Sequence, residues 1–221
     1  MEKPIANFVL YYGCALAFAA AFLNAGFLII AGISVSHLTG DVSRIAIDIV
    51  QLDNDSLLNL LKVFLAVFGF LTGATSSGYF IHHPELEPRF PYDKMLTFLG
   101  AFLLIAWLLI SINYMYSIFI CSFVCGAQNA MASRFKGVIL RTTHLTGLLT
   151  DLGIYLGMKL KGHKIESWKL YIPLCISISF LAGALISSFL ILKYNYAWLL
   201  IVGLSYCSGG FCWSLYKYKK R

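Results

Sequence analysis

Charge is what this sequence has least of. Asp, Glu, Lys and Arg together make up 12% of its 221 residues, while 59% are hydrophobic. The mean hydropathy is +0.78. A soluble domain carries about 25% charged residues, so a soluble globular class is excluded and an all-α integral membrane protein is implied. The length suits one domain of about six spanning helices of about 20 residues each. The six cysteines all stand inside apolar runs, which argues against both a secreted disulfide framework and a zinc motif. Missing too are a Gly-x-Ser-x-Gly elbow, a His-Glu-x-x-His pair, a phosphate loop and any paired-carboxylate motif. An enzyme is therefore not expected, and neither a cofactor nor a metal is called for. The net charge of +7 would suggest nucleic acid in a soluble chain. Here the basic residues gather in short connections and the C-terminal tail, where they orient a membrane protein, and no nucleic-acid partner is expected.

What the chain does have is one phrase used twice, His37-Leu38-Thr39-Gly40 and His144-Leu145-Thr146-Gly147. Other landmarks recur in the same order. Asn24-Ala25 answers to Asn129-Ala130, and Phe70-Leu71-Thr72-Gly73-Ala74 answers to Phe180-Leu181-Ala182-Gly183-Ala184, with Ser77 and Ser187 three positions beyond. The offsets are 105, 107 and 110. Such small drift points to an internal duplication, with residues 1–112 as one copy and 113–221 as the other.

Taken in order, residues 5–33 form a first span, with Asn24 well inside it, where a lone Asn is more often interhelical glue than a ligand. Small and β-branched residues at 32–36 let the chain leave helical geometry before His37. Residues 38–51 read as a short helix whose 14 residues reach about 21 Å, against a hydrocarbon core of about 30 Å. It does not cross. Asp41 sits in its first turn, and Asp41, Arg44 and Asp48 fall on one face that lipid would reject. Residues 57–81 are the second span, where Gly69, Gly73 and Ser77 make a small-residue stripe suited to a close helix contact. Residues 82–94 are a loop in which paired histidines are more plausible as surface residues than as metal ligands. Residues 96–112 are the third span. The second copy repeats the plan, with spans at 116–133, 170–192 and 196–215, a basic loop at 134–141, and a second 14-residue helix at 146–159.

Charge decides the topology. With six spans, 14 of the 17 positive residues share the side of the tail, leaving only Arg44, Lys62 and Lys193 elsewhere. Eight spans would send the 134–141 cluster to the opposite face, against the positive-inside bias. Three spans per copy is an odd number, so the second copy is inverted, and the two short helices become half-spanning or re-entrant segments entering from opposite faces. Such inverted repeats meet near the bilayer midplane in many transporters.

The expected substrate site is then a polar centre of Asn24, His37, Thr39, Asp41, Arg44, Gln128, Asn129, His144, Thr146 and Asp151. Arg44 and Asp151 each stand seven residues after their histidine, so a two-fold arrangement could pair them or aim both at one solute or its coupled proton. The bland alternative leaves Arg44 snorkelling to the interface and Asp151 buttressing a helix. Ser36 beside His37 is not expected to be a catalytic pair, because neighbours on a helix face different ways.

Asn24-Ala25-Gly26, Ser36 to Asp41, Cys125 to Ala130, and Arg141 to Gly147 with Asp151 together resemble the YoaK family of bacterial membrane proteins, domain of unknown function 1275. The resemblance covers nearly the whole chain. It departs at Asp41, where the family pattern often has Asn. It implies a six-helix protein of the bacterial inner membrane and names no substrate. The leading functional expectation is a small secondary transporter working by alternating access, its histidines bonding solute or relaying protons near neutral pH, with an anion favoured by exposed helix N-termini. The alternatives are a passive channel of the same architecture and a membrane scaffold without transport. Expected partners are the lipid bilayer and a small molecule or ion, with a homo-oligomer as an assembly the sequence permits. Both termini are expected on the cytoplasmic side.

Overall fold

The computed structural model describes residues 3–51, 54–81, 91–131 and 143–219. The expected basic loop at 134–141, the paired histidines at 82 and 83 and the last two tail residues lie outside them. Among the described residues eight helices follow in order: α1 (Lys3–Ala31), α2 (Leu38–Gln51), α3 (Asn54–Phe80), α4 (Tyr92–Ile110), α5 (Tyr114–Met131), α6 (Leu145–Leu160), α7 (Trp168–Tyr194) and α8 (Ala197–Lys219). The class is that of a multi-pass helical membrane protein. Segments of α1, α3, α4, α7 and α8 are long and apolar enough to cross a bilayer. Their outward faces carry large apolar side chains, as in Leu181, Leu185 and Phe189 of α7, which lipid would cover.

The remaining expected span, α5, is less apolar for a physical reason. Cys121 through Gln128 are all buried, so this helix faces protein and can carry Ser122 and Gln128 where a lipid-facing helix could not. It packs along α3, while α1 packs along α7. Small residues bring these backbones together, as the stripe in α3 predicts. A Cβ on Gly73 would overlap the Phe123 carbonyl, and one on Gly69 would stand 2.5 Å from the Phe119 carbonyl oxygen. On the other pair, a Cβ on Gly183 would overlap the Phe18 carbonyl, and the hydroxyls of Ser179 and Ser187 donate to the carbonyls of Cys14 and Phe22 at 2.8 and 2.6 Å. Contacts advance by four residues on both members, so each pair runs parallel.

These contacts correspond one to one. Gly73 and Gly183 are 110 apart, and the Phe123 and Phe18 they touch are 105 apart, the offsets found in the sequence. The third close pair, α4 with α8, is antiparallel and maps onto itself. Gly100 lies against Gly203 and Cys207, and Gly210 lies against Asp93 and Thr97, each residue matching its counterpart at an offset of 110. The Lys217 ammonium closes this pair with a 2.7 Å ion pair to Asp93.

Candidate functional site

The polar centre is built from the break between α1 and α2. Gly32, at φ +71°, has the left-handed backbone that lets the chain turn back at the end of α1. Residues 34–36 then run alongside the helix they have just left. The Asn24 side-chain oxygen accepts the Ser34 hydroxyl at 2.5 Å and the backbone N–H groups of Val35 and Ser36, both at 3.2 Å. Asn24 thus bonds its own chain downstream, not a neighbouring helix as its type suggests. It replaces for this irregular segment the partners that helix would have provided, which buried backbone requires.

Ser34 is the second hub. Its hydroxyl accepts the backbone N–H of His37 at 2.6 Å, and its own N–H donates to the Asp41 carboxylate at 2.8 Å. The start of α2 is thereby tied to the end of α1. On the other side of the break, the Lys62 ammonium, buried on α3, donates to the Ala31 carbonyl at 3.3 Å and lies over the Tyr114 ring at 5.9 Å. A cation at a helix C-terminus opposes the negative end of its dipole. Lys62 was not among the expected site residues, although a lone lysine inside an apolar run was a readable signal.

His37 follows directly. Its ring packs edge-on against Phe180, with 5.1 Å between centroids, at the thirteenth of the 27 residues of α7. The first histidine phrase therefore begins level with the middle of a long apolar helix. Ser36 and His37 lie within hydrogen-bond distance, with Oγ and Nδ1 2.9 Å apart. They are not on a helix but in the extended break, where neighbouring side chains can converge. Burial holds the His37 imidazole below its ordinary value, and the charge of His144 adds to that effect.

The bonding around the second histidine phrase is sparer. Asn129 donates to the Thr143 hydroxyl at 2.5 Å, just ahead of His144, which stands at the start of α6. His144 is exposed, and its ring lies over Gly147, where any Cβ would strike it. Gln128 is fully buried; its amide nitrogen donates to the Leu16 carbonyl at 2.6 Å, and its oxygen accepts the Tyr206 hydroxyl. Asp151 is half-buried, and Thr39 and Thr146 are exposed.

Two expectations need correction. Arg44 and Asp151 form no ion pair, and neither is buried; the Arg44 charge acts instead on Asp41, one helical turn before it. Nor do Asp41, Arg44 and Asp48 share one fate. Asp41 and Asp48 are the buried residues of α2, seven apart on the inward side, while Arg44 is exposed. The apolar Val42, Ile47, Ile49 and Val50 point outward, so α2 is inside-out relative to a soluble helix, as a bilayer demands. Burial raises the Asp41 carboxyl, opposed by the Ser34 N–H and by Arg44.

Among the described residues no cluster of three or more His, Cys, Asp or Glu is placed to hold a metal. A family model described as "Protein of unknown function (DUF1275)" matches residues 12–211. No curated protein and no solved structure matches the chain.

Proposed function

The chain belongs to the DUF1275 family, and from that premise we propose that it is a small secondary transporter of the bacterial inner membrane. In this reading six helices span the bilayer as two inverted three-span repeats, and α2 and α6 are re-entrant. Their histidine starts meet at a common interior site, and both termini lie on the basic, cytoplasmic side. Access alternates as the two copies exchange their slightly different arrangements.

One observation carries the proposal. In each copy the spanning helix ahead of the break supplies an asparagine that bonds the residues just before the histidine, Asn24 to Ser34, Val35 and Ser36, and Asn129 to Thr143. The two histidines so positioned are the titratable groups of the repeated phrase. Irregular backbone and titratable rings near mid-membrane are costly away from a cavity or protein interior. The residue-matched helix contacts support the duplication.

The substrate class narrows by electrostatics. The first turn of α2 already holds the buried Asp41 carboxylate, which repels a second anion. An anion thus has one unencumbered helix start, that of α6, and a neutral solute exchanging a proton with the histidines suits the pair better.

The test is flux into vesicles reconstituted with the purified chain, across a metabolite panel, with and without a pH gradient. Uptake of one solute that the gradient drives, and that His37→Ala and His144→Ala each abolish, is the expected result. Gradient-independent flux would make the protein a channel. Undiminished uptake in both variants would remove the histidines from the mechanism.

A further inference from the structure

A cavity of about 420 Å³ lies between α1, α8 and the start of α4, lined by residues that include Leu16, Ser205, Tyr206 and Gly209. This falls within the roughly 300–1,000 Å³ of small-molecule sites, which are typically apolar with a few polar groups. The rings of Tyr12, Tyr92 and Trp213 also face it, and among the described residues no charged side chain lines it.

The equivalent interface in the other half of the molecule, α5 with α4, is solid. There Ser117, Cys121, Val124, Leu99 and Leu103 are completely buried. Phe102 stacks on Phe123 with 5.2 Å between centroids, and Ser117 donates to the Ala106 carbonyl at 2.8 Å. The difference is written in the side chains. At the offset of 110 that relates α4 to α8, Met95 and Leu99 on the filled side correspond to Ser205 and Gly209 on the open side. Gly209 has no heavy atom within 4 Å of where a Cβ would stand. The cavity is therefore made by missing side-chain volume and is a property of the sequence.

We infer that this cavity binds an uncharged solute with an aromatic or apolar body and one hydrogen-bonding group, seated between α1 and α8. Its inner wall is wired to the histidine centre. Tyr206 donates to Gln128, Gln128 donates to the carbonyl of the cavity residue Leu16, and the next residue, Asn129, holds Thr143 ahead of His144. A solute pressing on Tyr206 acts on the dipeptide that anchors the second break.

The inference adds a binding site to the transport reading, and its test measures binding alone, so its failure leaves the vesicle assay untouched. The full-length protein in lipid nanodiscs is titrated with benzyl alcohol and, separately, with benzoate, while tryptophan emission is followed; Trp213 lines the cavity. Benzyl alcohol should give a saturable change and benzoate none. Gly209→Leu and Ser205→Met, which copy the filled side into open space, should each weaken benzyl alcohol by about tenfold or more, the scale expected when extra methylenes enter a site. Unchanged thermal unfolding of Gly209→Leu separates filling from misfolding; if that variant does not fold, Gly209→Ala and Ser205→Met carry the comparison. A linear, unsaturable response identical in wild type and variants, equal binding of benzoate, or a phospholipid chain that occupies the cavity and excludes benzyl alcohol would overturn the inference.

Discussion

Replacing Asn24 by Leu is the perturbation that bears most directly on the break between α1 and α2. The substitution keeps the branching at Cγ and removes the oxygen that accepts from Ser34, Val35 and Ser36. The Ser36 N–H retains the Ser34 hydroxyl at 3.3 Å, so two donors, the Val35 N–H and the Ser34 O–H, are left without a partner. Each buried donor so stranded costs about 1–3 kcal/mol. Measured side-chain bonds inside membrane proteins average nearer 0.6 kcal/mol, because the unfolded chain in the bilayer finds other partners. Weighing the two gives about 2–4 kcal/mol. The double role of Ser34 adds a second effect, since the Ser34 hydroxyl that loses its acceptor also orients the His37 backbone. Unfolding of the reconstituted protein by a denaturing detergent, followed by tryptophan emission, should show Asn24→Leu destabilised by that amount. Asn24→Asp, which keeps an acceptor oxygen, should recover part of it. A change below about 0.5 kcal/mol, the range of an ordinary surface substitution, would mean that Asn24 does not hold the break.

Other consequences follow from the same geometry. His37 is held below its ordinary value first by burial and then by His144, so stability from its neutral form is full above about pH 6.5, its usual midpoint, and is lost as pH falls through the folded value. In His144→Ala the His37 imidazole should titrate at higher pH by NMR, and an unmoved midpoint would refute the approach of the two rings. Because burial raises the Asp41 carboxyl, its ionised form opposes folding increasingly as pH rises through the carboxylate range. Asp41→Asn, which keeps an acceptor for Ser34, should therefore be at least as stable as wild type at neutral pH in a thermal melt, and clear destabilisation would show that the charge itself is needed. Gly73→Leu must drive α3 from the Phe123 carbonyl and should abolish folded yield in size-exclusion chromatography, whereas Gly78→Ala, with open space around it, should match or exceed wild type. Lys62→Met removes the charged bond to the Ala31 carbonyl, worth about 1.5–3 kcal/mol; equal detergent stability would assign the lysine no structural part.

Much of the fold was legible because membrane chains write their elements as long apolar runs separated by short polar ones, and because landmark residues recur in order at offsets of 105, 107 and 110. The 38–51 helix was read with its exact bounds, since it is charged on one side and too short to cross. Gly69 and Gly73 announced a close contact. Helix ends were less legible. The first span stops at Ala31, two residues short of its apolar run, because Ile33 and Val35 are buried in the extended segment and hydropathy does not distinguish a buried extended residue from a helical one. The modest hydropathy of α5 likewise reflects protein neighbours that composition does not record.

At the site, the recurring landmarks drew attention to the residues around each break but not to the bonds they make. Asn24 and Asn129 were recognisable from their matched position before each break. Their bonding to the break itself depends on the chain doubling back, which no local pattern encodes. Counting seven residues from each histidine permits a pair between Arg44 and Asp151 or a shared solute, but Asp41 and Asp48 face inward and Arg44, three residues beyond Asp41, is exposed. Lys62 escaped notice because its counterpart at the offset of 110, Ile172, is apolar, and a search for symmetry passes over what only one copy contains. The same holds for Asp41, matched by Leu148, and for Gly209, matched by Leu99. Residues at matching offsets make matching helix contacts, and the positions at which the two halves of the sequence differ set their surroundings apart. One copy carries the buried charges that clamp its break, the other carries an exposed histidine and the neighbouring Gln128, and the cavity lies where α8 has dropped the side chains that α4 keeps. Two halves with identical contents would have no reason to differ in exposure; the unequal histidines, one half-buried against Phe180 and one open over Gly147, follow from unequal surroundings imposed on an equal phrase.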